Sequence, residues 1–295
     1  MSGDGRRSAY LMLAASIAVG SVSYTLVQRG LDELSPMALA TGRVTVSALM
    51  FSFIVLARPG LRTPIPRHER WRVFAIGFGG SAVFHLLFNW GQSKVPVAIA
   101  AVIMATYPVM TTVGEVIFLG YRLRRVQAVG VVLSTAGCIA IGVTGGVGDG
   151  DGSLWGALAV AAAALAWAAV TLVTRDIGER YDSWWLNTPG TVAGALFMLA
   201  ITAPELGEYA SLSWQGWLVV VWLGSASSAF IYYALARVMR VLSATTTTAI
   251  STVVTPLSVL VAWGVRGEVP TLAQALGGAV VIGGVMLVLS VRSSA

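Results

Sequence analysis

Few side chains in this sequence can do chemistry, and most of them stand alone within long apolar runs. Of two histidines, only His85 lies in such a run, and Ser81, Asn89 and Gln92 fall on the same face of a helix drawn through it. Further along, Ser225, Ser228 and Tyr232 make a second polar stripe. Trp167 and Thr171 sit one turn apart, far from any charge. Met104, Tyr107, Thr111 and Glu115 share one stretch with Pro108, whose missing N–H frees a carbonyl. Thr245 to Thr248, Ser251 and Thr252 precede Pro256, and these hydroxyls are expected to bond within their own helix. Such groups suit hydrogen bonding of a polar solute in an apolar setting. Bond-breaking needs other arrangements: there are no paired carboxylates, no metal-binding helix motif and no nucleophile beside a base. No enzyme activity, cofactor or metal is therefore expected. One cysteine, Cys138, excludes an internal disulfide.

The elements that must position these groups follow from charge spacing. Charged residues make up 11% of the 295, hydrophobic residues 56%, and the mean hydropathy is +0.79. Soluble domains carry about 25% charge. A bilayer core of about 30 Å takes roughly 20 apolar residues of helix. Ten stretches qualify: 8–28, 34–57, 73–93, 95–121, 126–148, 152–174, 183–204, 209–236, 241–265 and 269–291. Their continuous Ala, Leu, Val and Gly lack the alternation of barrel strands. The first is too long for a signal-peptide core and is read as a retained helix. Two stretches hold one interior charge each, Arg43 and Glu115. A charge at that depth calls for a partner or a function. Glu115 lies about 10 Å along the helix from Arg122 and can reach toward the surface.

Basic residues orient the spans, because they collect on the cytoplasmic side. With the N-terminus inside, only Arg29, Lys94 and Arg266 of the 19 basic residues fall outside. Arg43 is within a span and every other one is cytoplasmic. Tryptophans near span ends agree, Trp71, Trp90, Trp155, Trp184, Trp185, Trp214, Trp217 and Trp263 among them, while Trp167 clearly departs from this pattern.

The chain repeats itself. Thr25-Leu26-Val27-Gln28-Arg29 returns as Thr171-Leu172-Val173-Thr174-Arg175, an offset of 146. Gly120, Gln127, Gly130 and Gly137 return as Gly267, Gln274, Gly277 and Gly284, an offset of 147. Pro108 returns as Pro256 at 148. Five spans per half is odd, so the second half must enter the membrane from the other side. The loops agree: arginines follow the second span, whereas Glu205 and Glu208 follow the seventh. The predicted fold is an all-α polytopic membrane protein, ten transmembrane helices as two inverted five-helix repeats. These are 1–148, with a cytoplasmic N-terminus, and 149–295, with a cytoplasmic C-terminus. Inverted repeats of this kind place a site near the midplane, between the halves.

Two five-span halves, each closing on Gly-x6-Gln-x2-Gly-x6-Gly, resemble the EamA-type branch of the drug/metabolite transporter superfamily, and within it the YddG-like amino-acid exporters. Arg43 after Ser35-Pro36 adds to the resemblance. That likeness covers about residues 9 to 291. One departure concerns the last loop of each half, often Leu-Gly-Glu in the family: the second half keeps Gly267-Glu268 but the first has Gly120-Tyr121. The resemblance implies a secondary transporter that exports small metabolites, amino acids in particular, by alternating access.

The expected substrate-binding residues are His85, Asn89, Tyr107, Trp167, Thr171, Ser228 and Tyr232. Arg43, Glu115, Pro108 and Pro256 are expected as gating or structural anchors. Each polar stripe has a plainer reading, as glue between helices. Trp167 is either a wall for a solute or packing, and Arg43 either an anchor or a clamp. The alternative function is proton-coupled export of cationic drugs. Relatives of that kind carry a glutamate in the first span, and 8–28 has none. Expected partners are a small-molecule substrate, an amino acid or similar metabolite, and membrane lipid. Nucleic acid is not expected, since topology explains the arginines, and a monomer is expected to suffice. The expected location is a bacterial inner membrane.

Overall fold

The computed structural model describes residues 3–92, 94, 103–104, 106–144, 154–266 and 271–290. All regular structure among them is helical. The helices are α1 (Gly3–Leu31), α2 (Pro36–Ala57), α3 (Arg70–Phe78), α4 (Phe84–Gln92), α5 (Tyr107–Leu119), α6 (Arg125–Thr144) and α7 (Leu154–Ile177). They continue as α8 (Ser183–Ile201), α9 (Trp214–Trp222), α10 (Ile231–Val238), α11 (Ala244–Ser251), α12 (Val254–Arg266) and α13 (Leu272–Ser290). Every one of the ten apolar stretches contains a helix. Among the described residues, seven segments are long and apolar enough to cross a membrane. An eighth is α8 taken with the 3₁₀ helix Ala203–Ser211, which leaves it at 89°. Two apolar helices, Tyr107–Leu119 and Arg125–Ala140, are shorter.

Local chemistry sets the helix ends. Ser35, Asp182, Ser213 and Ser243 each cap a helix, their side chains accepting from the backbone N–H of Ala38, Trp184, Gly216 and Thr246. Helix α5 ends at Gly120, whose φ of 66° suits glycine, and the N–H groups of Gly120 and Tyr121 return to the Glu115 carbonyl.

Lipid is as apolar as leucine, so close packing must hold the helices together. Antiparallel α6 and α13 show how. A Cβ on Gly130 would lie 2.6 Å from the Gly284 carbonyl oxygen, and one on Gly137 2.7 Å from that of Gly277. The contact pairs, 130 with 284 and 137 with 277, exchange under the sequence offset of 147. That is the signature of a two-fold axis passing between the helices. Large apolar side chains face outward instead, as with Phe53, Phe118 and Trp155.

Two irregularities occur in both halves. A π-helical turn, Gly79–Val83, joins α3 to α4, and another, Leu223–Phe230, joins α9 to α10. Helix α5 begins beside Pro108, and the break between α11 and α12 lies just before Pro256. Pro256 cannot donate to the Thr252 carbonyl. That carbonyl is met by the Thr255 N–H at 3.0 Å and the Cys138 thiol at 3.8 Å. Interrupted helices at matching places in two repeats are where transporters of inverted-repeat design build their sites.

Candidate functional site

The two π turns present the central polar groups. A π turn rotates the side chains that follow it relative to those before, and such turns gather at functional sites. Two residues after the first comes His85, and two after the second comes Tyr232. They are 147 apart, the repeat offset, and they touch: Tyr232 Oη lies 3.3 Å from His85 Nε2. Tyr232 also donates to the Gly80 carbonyl at 2.8 Å. A phenol has one proton. With that proton on Gly80, Nε2 is the donor to Oη, and a neutral ring then offers Nδ1 as an acceptor.

Arg43 reaches this cluster from α2. Its Nε and Nη2 donate to Ser228 Oγ at 3.2 and 3.1 Å, and Nη2 also donates to Ser227 Oγ at 3.4 Å. The backbone beside Arg43 is held by packing, since a Cβ on Gly224 would stand 2.8 Å from the Arg43 carbonyl oxygen. Ser228 and His85 are buried, at 1% and 3% exposure. Trp167 on α7 closes one side, its ring 5.5 Å from Tyr232 and 5.1 Å from Phe84. The ring also covers Gly80, where an added Cβ would be 3.5 Å away. Four elements from both halves therefore meet at one point: α2 and the Gly79–Val83 turn with α4, then α7 and the Leu223–Phe230 turn with α10.

Five of the expected residues, Arg43, His85, Trp167, Ser228 and Tyr232, come together here. Thr171 is buried one turn from Trp167 and donates to its carbonyl at 2.8 Å. Asn89 is one turn beyond His85, half-buried, and donates to the Pro36 carbonyl at 3.3 Å. Tyr107 is half-buried at the start of α5, next to Pro108. Ser225 turns back to the Val221 carbonyl, and Ser81 to that of Gly77. The Gln92 side chain, Gly267 and Glu268 lie outside the described residues. Threonines of α11 do bond within their helix, as Thr248 does to Ala244. Thr245 and Thr247 are buried with no partner for Oγ1 among the described residues, as is Thr111 of α5.

Glu115 does something its distance along the helix did not foretell. It does not reach for the surface. The side chain is buried, and its two oxygens accept from the N–H groups of Ala244 and Thr245, at 2.8 and 2.7 Å. A first-half carboxylate thus closes the N-terminus of a second-half helix, where negative charge is favoured. Arg175 Nε lies 4.0 Å away.

Three participants were not singled out by sequence: Ser227, the Gly80 carbonyl and Phe84. Their signal was a run of small residues in mid-span, Gly79-Gly80-Ser81 and Gly224-Ser225-Ala226-Ser227-Ser228, where a helix can widen. No group of three His, Cys, Asp or Glu side chains able to hold a metal occurs among the described residues. A guanidinium, two hydroxyls, an oriented imidazole and an aromatic wall can bind a polar solute without reacting with it.

Comparison with known proteins gives the following. The sequence matches the EamA-like transporter family twice, over residues 7–143 and 154–290. It is 27% identical to a probable terminal-alkyne amino-acid exporter of Streptantibioticus cattleyicolor, over 94% of this chain and 91% of that protein. It is 28% identical to the transporter YdfC of Bacillus subtilis, over 95% and 91%. Identity to the inner membrane transporter YedA of Escherichia coli is 27%, over 94% and 89%. A crystal structure 23% identical superposes with a TM-score of 0.80, covering 95% of this chain and 96% of its own, which speaks to the fold alone.

Proposed function

We propose, from the premise that this chain belongs to the EamA-like transporter family, that it exports amino acids or closely similar metabolites by alternating access. It is a multi-pass membrane transporter. Beyond that, the reading takes the ten stretches as ten spans in two inverted halves, 1–148 and 149–295, both termini cytoplasmic, in a bacterial inner membrane. The arginine distribution supports this orientation.

The observation that carries the substrate class is the pairing of Arg43 with Ser227 and Ser228 beside the His85–Tyr232 contact and the Trp167 ring. A carboxylate fits a guanidinium flanked by hydroxyls. The Nδ1 of His85 suits an ammonium, because it accepts. Trp167 and Phe84 suit an apolar side chain. Asn89, Tyr107 and Thr171 belong to the outer part of this site in the proposal, and Pro108 and Pro256 mark where the helices bend as it opens. The relative that carries the name amino-acid exporter supports the same class.

The competing reading, proton-coupled export of cationic drugs, needs a carboxylate to exchange protons with the solute. Glu115 is the one acid inside an apolar stretch of the sequence, and it is occupied in capping α11. Counterflow in proteoliposomes tests the choice. Loaded neutral amino acids should accelerate entry of labelled amino acid with saturation, and Arg43→Gln should lower that flux about tenfold or more, the loss of one charge-assisted contact. Efflux of a lipophilic cation that requires Glu115, with no amino-acid counterflow, would overturn the proposal.

A further inference from the structure

A groove lies away from the centre, at the arginine-rich end of the bundle. It has a volume of about 670 Å³ and runs between residues 62–65, the start of α3 and the start of α8. Its walls are apolar, with Ile65, Phe74 and Pro189 among them, and Trp71 stands at its edge, 65% exposed. Trp185 holds the groove together by donating its Nε1–H to the Thr63 carbonyl at 2.9 Å.

Two arginines, Arg62 and Arg70, line this apolar groove. Each is fixed through Nε, Arg62 to the Val55 carbonyl at 3.2 Å and Arg70 to the Ile65 carbonyl at 3.3 Å. Anchored in this way, neither guanidinium has a partner on its two terminal nitrogens among the described residues. Neither has a carboxylate within 4.0 Å among the described residues. Their neighbours differ: Arg72 is paired with Asp176 and Arg180 with Glu69. The mirrored segment at the opposite end, Ala203–Ser211, carries Glu205 and Glu208 and no basic residue. Two arginines over an apolar wall, with no carboxylate partner among the described residues, match one ligand in charge and shape. We infer that this groove holds an anionic phospholipid, its phosphate on Arg62 and Arg70 and its acyl chains against Trp71 and Phe74. The site is independent of the transported solute.

Native mass spectrometry of the full chain in neutral detergent tests this, with phosphatidylglycerol and phosphatidylcholine as probes. The wild type should retain phosphatidylglycerol in preference, and R62Q/R70Q should lose about tenfold of that preference while R62K/R70K keeps most of it. Fluorescence offers a test that needs no arginine variant. Phosphatidylglycerol brominated on its chains should quench the wild type more than brominated phosphatidylcholine, and Trp71→Phe should reduce the excess. Equal retention of the two lipids by the wild type would overturn the inference. So would an unchanged preference in R62Q/R70Q, or an excess of quenching that Trp71→Phe leaves intact.

Discussion

The two ends of the bundle are mirrored interlocks between the halves, built with different chemistry. At one end the segment after α1 grips the segment before α9. Glu33 accepts from the Ser213 N–H and hydroxyl, both at 2.8 Å, Glu208 accepts from the Ser35 N–H at 2.7 Å, and Thr41 meets Thr202 at 2.9 Å. Tyr209 adds a hydrogen bond to the Ala38 carbonyl at 2.6 Å. Carboxylates here meet neutral donors. At the arginine-rich end the segment after α7 grips the segment before α3, mainly through ion pairs. Glu69 takes Arg180 and the Tyr181 hydroxyl, and Asp176 takes Arg72; within the second half Arg240 donates to the Tyr181 carbonyl. Burial, reinforced by the Glu69 hydrogen bond, pushes the Tyr181 phenol above its ordinary value. The same backbone lock therefore responds to different variables at its two ends. Salt and loss of charge should loosen the ionic end, and only strong acid the other.

The largest effect should come from Glu115→Ala, which strands two buried N–H groups at the start of α11 beside Arg175. A loss of about 3 kcal/mol is expected, read from thermal unfolding in detergent, with Glu115→Gln recovering part of it. Next comes Glu69→Ala, expected to cost about 2 kcal/mol and to raise the labelling rate of a cysteine introduced nearby, because Arg180 and Tyr181 lose a shared partner. If both variants unfold like the wild type, the ionic end is not a lock. Raising the salt to 1 M, where screening acts within about 3 Å, should cost less, at most about 1 kcal/mol. The exposed Arg175–Glu179 pair at 3.0 Å will respond most. Labelling at the opposite end should stay unchanged.

The smallest effect is the acid response of the other end. Hydrogen bonds from the Ser213 backbone and then its hydroxyl hold Glu33 below its ordinary value of 4.5. A depressed carboxylate stabilises the fold above its unfolded value and stops doing so as pH falls through the lower folded one. Labelling of Asp32→Cys, expressed relative to a free thiol at the same pH, should therefore stay flat from pH 7 to 5 and rise only below 4.5. A rise near neutrality would mean that some other group controls this end.

Much of this architecture was legible in the sequence because it depends on spacing. The arginine distribution and the glycine pattern at offset 147 are one-dimensional facts, and the two stretches matched by the family agree with the glycine repeat. His85 and Tyr232 showed as stripes on their own helices. Their meeting did not show, because the small-residue runs mark where a helix can widen but not which side chains the two widened turns bring together. Glu115 was visible as a buried acid. Which helix end lay opposite it was not, since that is a matter of packing between segments about 130 residues apart, as the 129 separating Glu115 from Ala244 illustrate. The interlocks were hidden for the same reason: loop charge suggests a side of the membrane but not a partner.

A residue that touches its own repeat counterpart stands on the dyad of the molecule. His85 and Tyr232 do so, yet they are not alike, and their hydrogen bonds run one way, from imidazole to phenol to the Gly80 carbonyl. Swapping the shapes of the halves would need a phenol at position 85 and an imidazole at 232 to rebuild that relay. The duplicated frame thus carries an arrow at its centre, and the two poses it can take are unequal in free energy before any cargo arrives.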